Sequence, residues 1–592
     1  MAAQLRLGKE KKERIYFFIA FVVIFYSIIV ARLFYLQIMN NEYYKQLSEN
    51  NSRKVKLIKA PRGKIYDCKG RLIATNVAGY RVVYLKNESK ATPDVIAKIA
   101  EATGTTKAYI EKAMKIGEVY QYTKEKVLID DYEEAKAHRL MEKLSDYPYL
   151  DVISYPKRKY LMGNIASHII GYVRPISDKE YEKLKDKGYS KNDVIGKKGI
   201  EKQYNEELKG VDGYEYIEVD AHGRLVKNID TKPAIPGQDL HLSIDIELQT
   251  YMTEALKEFK GTAIIMDIKT GELKTMVSSP EYDIVKFSSK LSSKDWTDML
   301  NDPMKPMINK ATVAEYPPGS IYKVIGVLNL LEIGVKPTES IYDPGHFYLG
   351  RARWSDWEPR GHGTVNMEKA IVVSCDTYFY TMMNRFGYKK LVQTSDKFGL
   401  GKKTGIDIPE EKTGNLPSEE WKRKRFKQGW YGGDTINLSI GQGYLLTTPI
   451  QMLNVYAAIA NNGTAYKPRV VDKLVGVKNI VRELPSEESI HLNTKPEYLT
   501  FIRNALRKTV TNGTAGRLNN LAGVEIGAKT GSAENAHYKL THAWIAGIAP
   551  YNNPEIAFIV FVEGAGHGGT IAGPLARQLL EKYYEIEKEG EK

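Results

Sequence analysis

A serine and a lysine three residues apart, Ser320 and Lys323, stand in the stretch YPPGSIYKVIGVLNLLE (316–332). A serine hydroxyl is a weak nucleophile until a neighbouring base takes its proton. Lysine serves as that base only where burial or nearby positive charge lowers its pKa. S-x-x-K by itself also describes a solvated helix face. Here the apolar run after Lys323 and the Pro-Pro-Gly entry favour a nucleophile. K-T-G occurs four times, at 269–271, 403–405, 412–414 and 529–531. The first three read as turns between strands or loops. The fourth, Lys529-Thr530-Gly531 followed by Ser532, lies in VEIGAKTGSAEN (524–535), shortly before the strand-like HAWIAGIAP (542–550). There Lys529 offers positive charge to a carboxylate, and the Ser532 N–H can help bind an oxyanion. Between the two lies VVSCDTYFY (372–380), in which Ser374 and Asp376 are polar residues in an apolar run. A helix cap is the plainer reading of that pair.

Chemistry of this kind requires elements that hold the groups together. Pro and Gly ahead of 320 are helix-start signals, and residues i and i+3 share a helix face. Lys323 is therefore expected to reach the Ser320 hydroxyl, with helix N-terminal N–H groups near a developing oxyanion. The small residues of 524–535 allow a substrate to lie close to a strand edge. GTAIIMDIKTGELKTMVSS (261–279) reads as two strands joined at Lys269-Thr270-Gly271. Strands recur near the C-terminus, with helices between. This pattern predicts an α+β domain at 246–585, one antiparallel sheet flanked by helices.

The three patterns, in this order and at these spacings, resemble the penicillin-binding transpeptidase and serine β-lactamase superfamily, which carries S-x-x-K, S-D-N and K-T-G. The likeness extends through PRGKIYDCKGRLIATN (61–76), HIIGYV (168–173), IGKKGIEKQYNEELKG (195–210), GDTINLSIGQGYLLTTPIQM (433–452) and GTAGRL (513–518). It is closest to class B, and within it to the elongation type more than the division type. No glycosyltransferase-like module is evident. The resemblance implies a peptidoglycan D,D-transpeptidase that cross-links stem peptides, is acylated by β-lactams and needs no organic cofactor. Ser320 would be the nucleophile, Lys323 its base and Ser374 a proton relay. Lys529 and Thr530 would bind the substrate carboxylate beside Gly531, and the N–H groups of Ser320 and Ser532 would bind the oxyanion. Asp376 departs from the Asn of many relatives, and an ionised carboxylate accepts hydrogen bonds but cannot donate one.

The elongation-type resemblance also implies one structural Zn2+ held by Asp343, Asp356, His362 and Cys375. Such donors can close a tetrahedral site. From the residues alone, His346 competes with Asp343, and Cys375 is equally a small core residue.

Over 592 residues the composition is that of ordinary folded protein, with 43% hydrophobic and 27% charged residues. The net charge of +14 suits an anionic surface. No nucleic-acid-binding signature accompanies it. Two cysteines exclude a disulfide scaffold. Residues 15–31 are uncharged and apolar, with basic residues at 6, 9, 11, 12 and 14 before them. These features predict a transmembrane anchor at 15–37 after a cytoplasmic tail at 1–14. From composition, 38–245 is an α+β module; the resemblance implies that it is an elongated pedestal of the dimerisation type, and a short tail at 586–592 completes the expected plan. The catalytic domain would then lie outside the cell membrane. The apolar segment makes the lipid bilayer an expected partner, and the resemblance implies peptidoglycan stem peptides, β-lactams and a membrane-embedded glycan polymerase of the elongation machinery as the others.

Overall fold

The computed structural model describes residues 2–40, 53–85, 91–116, 125–190, 193–219, 225–289, 292–521, 523–535 and 538–590. The chain divides into two compact units, each assembled from separated segments. The first comprises Met1–Ala60, Ala78–Tyr155 and Val211–Ile235, and the second Pro61–Val77, Pro156–Gly210 and Pro236–Lys592.

The first unit opens with a helix, Ala2–Phe34, that continues as one π-helical turn, Tyr35–Met39. Its stretch Arg14–Met39 is long and apolar enough to cross a membrane, and none of the window that qualifies it is buried. The helix thus begins upstream of the anchor expected at residue 15. Strands Arg53–Ile58, Gly213–Val219 and Leu225–Lys232 form an antiparallel sheet. Helices Pro93–Thr103, Lys107–Ile116 and Glu134–Met141 pack with Tyr80, Val82, Tyr84 and Leu128 in a separate small core.

The second unit is built on a five-stranded antiparallel sheet. Its order is Leu273–Ser279, Gly261–Asp267, Ile556–Val562, His542–Ala549 and Gly527–Ala533. The expected turn at Lys269-Thr270-Gly271 joins the first two strands. Ile556–Val562 is apolar at every position because both faces of the sheet are covered. Ala557, Ile559 and Phe561 enter one core cluster, and Ile556, Phe558, Val560 and Val562 enter the other. This is the period-two alternation of a strand. The helix Pro449–Ala460, buried along its whole length, lies on the first face. Ile246–Ala255 and Ala572–Gly590 lie on the second. The last helix carries the buried Ile586 past the expected domain end at 585 and stops at Gly590. The remaining two residues of the expected tail lie outside the described residues.

The compact units also cut across the boundary expected near residue 245. Segments 61–77 and 156–210 belong with the C-terminal part. Arg71 Nη2 donates to Asp245 Oδ1 at 2.5 Å and the Tyr204 hydroxyl to Asp407 Oδ2 at 3.0 Å, and the two segments are joined to each other through Glu201. Glu201 is fully buried. It accepts from Arg62 Nε at 2.6 Å and from Arg158 Nε at 2.7 Å, with the Tyr160 hydroxyl at 3.3 Å. Burial alone would raise its pKa, but Arg158 and Arg62 outweigh it and the carboxyl is held below the ordinary glutamate value. Glu201→Gln leaves two guanidinium groups facing a neutral amide and should cost about 3–5 kcal/mol, read as a lower thermal unfolding midpoint. Because the folded pKa lies below the unfolded value of about 4.3, the stabilisation is complete above that pH. It is lost as pH falls through the folded pKa, so the gap between wild type and variant should close on acidification.

Candidate active site

Ser320 sits in a single 3-10 turn, Gly319–Tyr322, that leads into the buried helix Lys323–Glu332. The backbone ahead of it is pinned on both sides. Tyr316 and Thr447 exchange N–H···O bonds of 2.9 and 2.8 Å, and Gly319 N donates to Gly441 O at 2.9 Å. Inside the turn, the Tyr456 hydroxyl donates to Ile321 O at 3.0 Å. Gly319 has φ +57°, and a Cβ there would stand 3.0 Å from Ser532 O. Left-handed backbone and this close approach both favour glycine.

Lys323 is fully buried. Its Nζ lies 2.7 Å from Asp376 Oδ1, 2.8 Å from Ser374 O and 3.3 Å from Ser374 Oγ. An ammonium has three protons to donate, and these three acceptors use them all. The expected Lys323–Ser320 hydrogen bond is therefore not formed in this arrangement. The lysine is drawn to the middle pattern instead, and the half-buried Ser320 hydroxyl has no partner among the described residues.

Ser374 does not cap a helix. It takes left-handed backbone with φ 58°, and Cys375 occupies the N-cap position of Asp376–Phe386. Left-handed backbone costs a non-glycine residue about 1–2 kcal/mol, and it is found where function requires the geometry. Here it turns the Ser374 carbonyl and hydroxyl onto Lys323. Asp376 opens the helix. Burial pushes its carboxyl above the ordinary aspartate value, with Lys323 pulling the other way and Asp356 adding to the rise.

The fourth K-T-G lies on Gly527–Ala533, an edge strand of the five-stranded sheet. Lys529 is fully buried, with its Nζ 2.9 Å from Thr530 O. Burial first, and Lys323 second, hold it well below the ordinary lysine range, while Asp376 opposes them. A Cβ on Gly531 would stand 3.2 Å from Ile321 N, so the strand lies directly against the Ser320 turn. The structure thus brings Ser320, Lys323, Ser374, Asp376, Lys529, Thr530, Gly531 and Ser532 into one region. The other three K-T-G stretches lie in turns and irregular segments. Sequence reasoning missed the supports behind the edge strand. Thr514 Oγ1 lies 2.5 Å from Thr530 Oγ1, and Gly568 N donates to Ser532 Oγ at 3.2 Å with His567 Nδ1 at 3.4 Å. GTAGRL flagged Thr514 without a role, and no local signal marked His567.

Next to the middle pattern, Asp343, Asp356, His362 and Cys375 each offer one donor atom within 4.8 Å of the others. Asp343 Oδ2 lies 2.8 Å from His362 Nδ1 and 3.3 Å from Cys375 Sγ, and Asp356 Oδ1 lies 3.6 Å from His362 Nδ1. Tetrahedral zinc with bonds of about 2.0–2.3 Å sets its donors roughly 3.3–3.8 Å apart, so the set fits with small adjustments. Two carboxylates, a thiol and an imidazole are a donor set that suits such a cation. His346, the competitor of Asp343, is not in the cluster, because it lies on the face of its strand that carries Tyr348. Asp356 also caps the neighbouring helix: Oδ2 accepts from Asp376 N at 2.7 Å and Thr377 N at 3.0 Å.

Two family models match the chain: the penicillin-binding protein dimerisation domain over residues 57–242 and the penicillin binding protein transpeptidase domain over 261–581. Peptidoglycan D,D-transpeptidase MrdA of Haemophilus influenzae is 34% identical over 594 residues, covering 95% of this chain and 90% of that protein. A complex between penicillin-binding protein (PBP2) and MreC from Helicobacter pylori is similar with a TM-score of 0.81 at 29% identity, covering 90% of this chain and 99% of that one. A structure described as structural coordination of polymerization and crosslinking by a peptidoglycan synthase complex is similar with a TM-score of 0.70 at 28% identity, covering 97% and 98%.

The close approach at Gly319 makes Gly319→Ala a sharp probe. Its Cβ must displace the Ser532 backbone and accept strained φ. Covalent labelling by a fluorescent penicillin should slow by about tenfold or more, the equivalent of ~1.4 kcal/mol at the barrier. Labelling at the wild-type rate would show that the turn and the edge strand need not be in contact.

Proposed function

This chain belongs to the penicillin-binding protein family, and from that premise we propose that it is a membrane-anchored peptidoglycan D,D-transpeptidase of cell elongation. The observation that carries the site assignment is the buried Lys323 ammonium shared by Ser374 and Asp376, beside an edge strand packed on the Ser320 turn.

In this reading Ser320 loses its proton to Lys323. That transfer requires Lys323 first to release one of its own, and Asp376, whose carboxyl is biased toward the protonated form, is the adjacent acceptor. The Ser320 Oγ attacks the carbonyl of the penultimate D-Ala of a stem peptide. The N–H groups of Ser320 and Ser532 receive the oxyanion. As the C–N bond breaks, the amine of the terminal D-Ala takes a proton relayed through Ser374, and an ester to Ser320 remains. An amine of a second stem attacks that ester, and its proton returns to the Ser320 oxygen. Lys529 and Thr530 meet the terminal carboxylate, and the bare Gly531 lets the peptide approach the strand edge. That approach follows β-strand addition, in which main-chain bonds extend an exposed sheet edge. β-Lactams acylate the same serine.

One zinc ion held by Asp343, Asp356, His362 and Cys375 would supply a structural cross-link that fixes the loop leading to Ser374 and Asp376. No organic cofactor is required. The basic residues before the apolar helix support a cytoplasmic N-terminus and an extracytoplasmic catalytic domain. The similar structures with MreC and with a peptidoglycan synthase complex support corresponding partners here, among them a membrane-embedded glycan polymerase.

Uncross-linked glycan strands incubated with the wild-type protein should yield cross-linked stem-peptide dimers and one released D-Ala per link. Ser320→Ala should yield neither. Cross-linking that survives in Ser320→Ala would refute the assignment. For the metal, the protein should carry one zinc per chain by elemental analysis, and stripping it with a chelator should lower the unfolding midpoint. A wild-type metal content and midpoint in Cys375→Ser would exclude the site.

A further inference from the structure

A β-hairpin, His346–Leu349 paired with Ala352–Ser355, stands beside the middle pattern, and its two faces differ sharply. The inner face is packed. Phe347 lies against Tyr380 with ring centroids 6.1 Å apart, and Trp354 Nε1 donates to Asn437 Oδ1 at 3.0 Å. Gly432 and Gly433 are bare where Leu349 and Trp354 seat: a Cβ would stand 2.6 and 3.2 Å from them. The inner face therefore fixes the hairpin rigidly on the helix Gly432–Ser439. The outer face is unpartnered. Tyr348 is 58% exposed and sits directly across from the exposed Arg353. Arg351, at the hairpin turn, is exposed as well. Among the described residues, neither guanidinium has an ion-pair partner. The chain then runs to Trp357, 54% exposed, whose Nε1 donates to Val373 O at 3.0 Å. Val373 immediately precedes Ser374, so the exposed face ends next to the residues assigned to acyl transfer.

We propose that this ledge of Tyr348, Arg351, Arg353 and Trp357 binds the glycan strand that carries the stem peptides. The inference rests on the transpeptidase reading and gives it a polymer-binding surface. Rigid exposed aromatic rings offer flat faces to the C–H faces of sugar rings. Unpaired guanidinium groups in fixed positions match carboxylates with paired N–H donors. A peptidoglycan strand presents both chemistries at repeating intervals, sugar rings along its length and carboxylates on its stems. A free β-lactam has neither the repeating sugar rings nor the repeating carboxylates that this ledge would bind. The ledge therefore acts on polymer binding and leaves acylation by a small molecule unaffected.

The test uses the full-length protein in detergent and co-sedimentation with purified peptidoglycan sacculi, with penicillin acylation followed in parallel. For Arg351→Glu with Arg353→Glu, and separately for Tyr348→Ala, the half-saturating sacculus concentration should rise about tenfold, as loss of a few exposed contacts allows. The acylation rate should stay within about twofold, since each 1.4 kcal/mol is a factor of ten and no contact to Ser320 is removed. Should the glutamate pair impair acylation, Arg351→Gln with Arg353→Gln makes the same comparison without charge reversal. Wild-type binding should weaken with salt and on sacculi whose carboxylates have been amidated. Unchanged sacculus binding in both the arginine and the tyrosine variants would overturn the proposal. So would wild-type binding that disappears once phosphate polymers are stripped from the sacculi, which would assign the ledge to those polymers. Failure of wild-type acylation would count against the transpeptidase reading instead, while sacculus binding would still report on the ledge.

Discussion

A lysine ammonium with no exposure to water must find acceptors for all its protons, and most of the site follows from how Lys323 does so. Leaving such a charge unpaired costs several kcal/mol. Its partners come from the middle pattern, which lies 51 to 53 residues away in the chain. To present them, Ser374 takes left-handed backbone, and Asp376 enters the low-dielectric interior at a cost visible in its raised pKa. Asp356 then secures the start of the Asp376 helix. One buried charge thus joins the Ser320 turn, the Asp376 helix and the cluster of metal-ligand donors. The same pairing leaves Lys323 saturated until a proton leaves it.

The second constraint is the separation of backbones. The Ser320 turn and the edge strand meet through Gly319 and Gly531, and Gly441 closes on the other side of the turn; at each a methyl group would crowd main-chain atoms. These approaches hold the Ser320 turn close against the strand edge. Behind the strand, a sheet covered on both faces provides the rigidity that positioning chemistry demands.

Much of this was legible from residues. The two strands around Lys269-Thr270-Gly271, the apolar run after Lys323 and the β-branched, small-residue stretch around Lys529 are local signals, and the structure reproduces them. The choice among four K-T-G stretches rested on such local context. Long-range partners were not legible. Nothing near Lys323 in the chain announces Ser374 as its acceptor, and the expected contact with Ser320 gave way to a stronger one. The hairpin around Tyr348 was read only as a source of metal ligands, because its strands are four residues long and give almost no periodic signal. His346 and Asp343 could be separated only once the fold placed them on different strands, Asp343 beside His362 and His346 beside Tyr348. The placement of 61–77 and 156–210 with the C-terminal part rests on contacts such as Arg71 with Asp245 and Tyr204 with Asp407, 174 and 203 residues apart, which no local pattern encodes.

The account stands or falls on where an acyl group attaches. Intact-mass analysis of the protein after exposure to penicillin, followed by peptide mapping and with Ser320→Ala treated in parallel, reads this directly. The account predicts a single penicilloyl adduct on the wild type, carried by the peptide containing Ser320, and none on the variant. An adduct that persists in Ser320→Ala, or a folded wild type that takes up no acyl group, would contradict it.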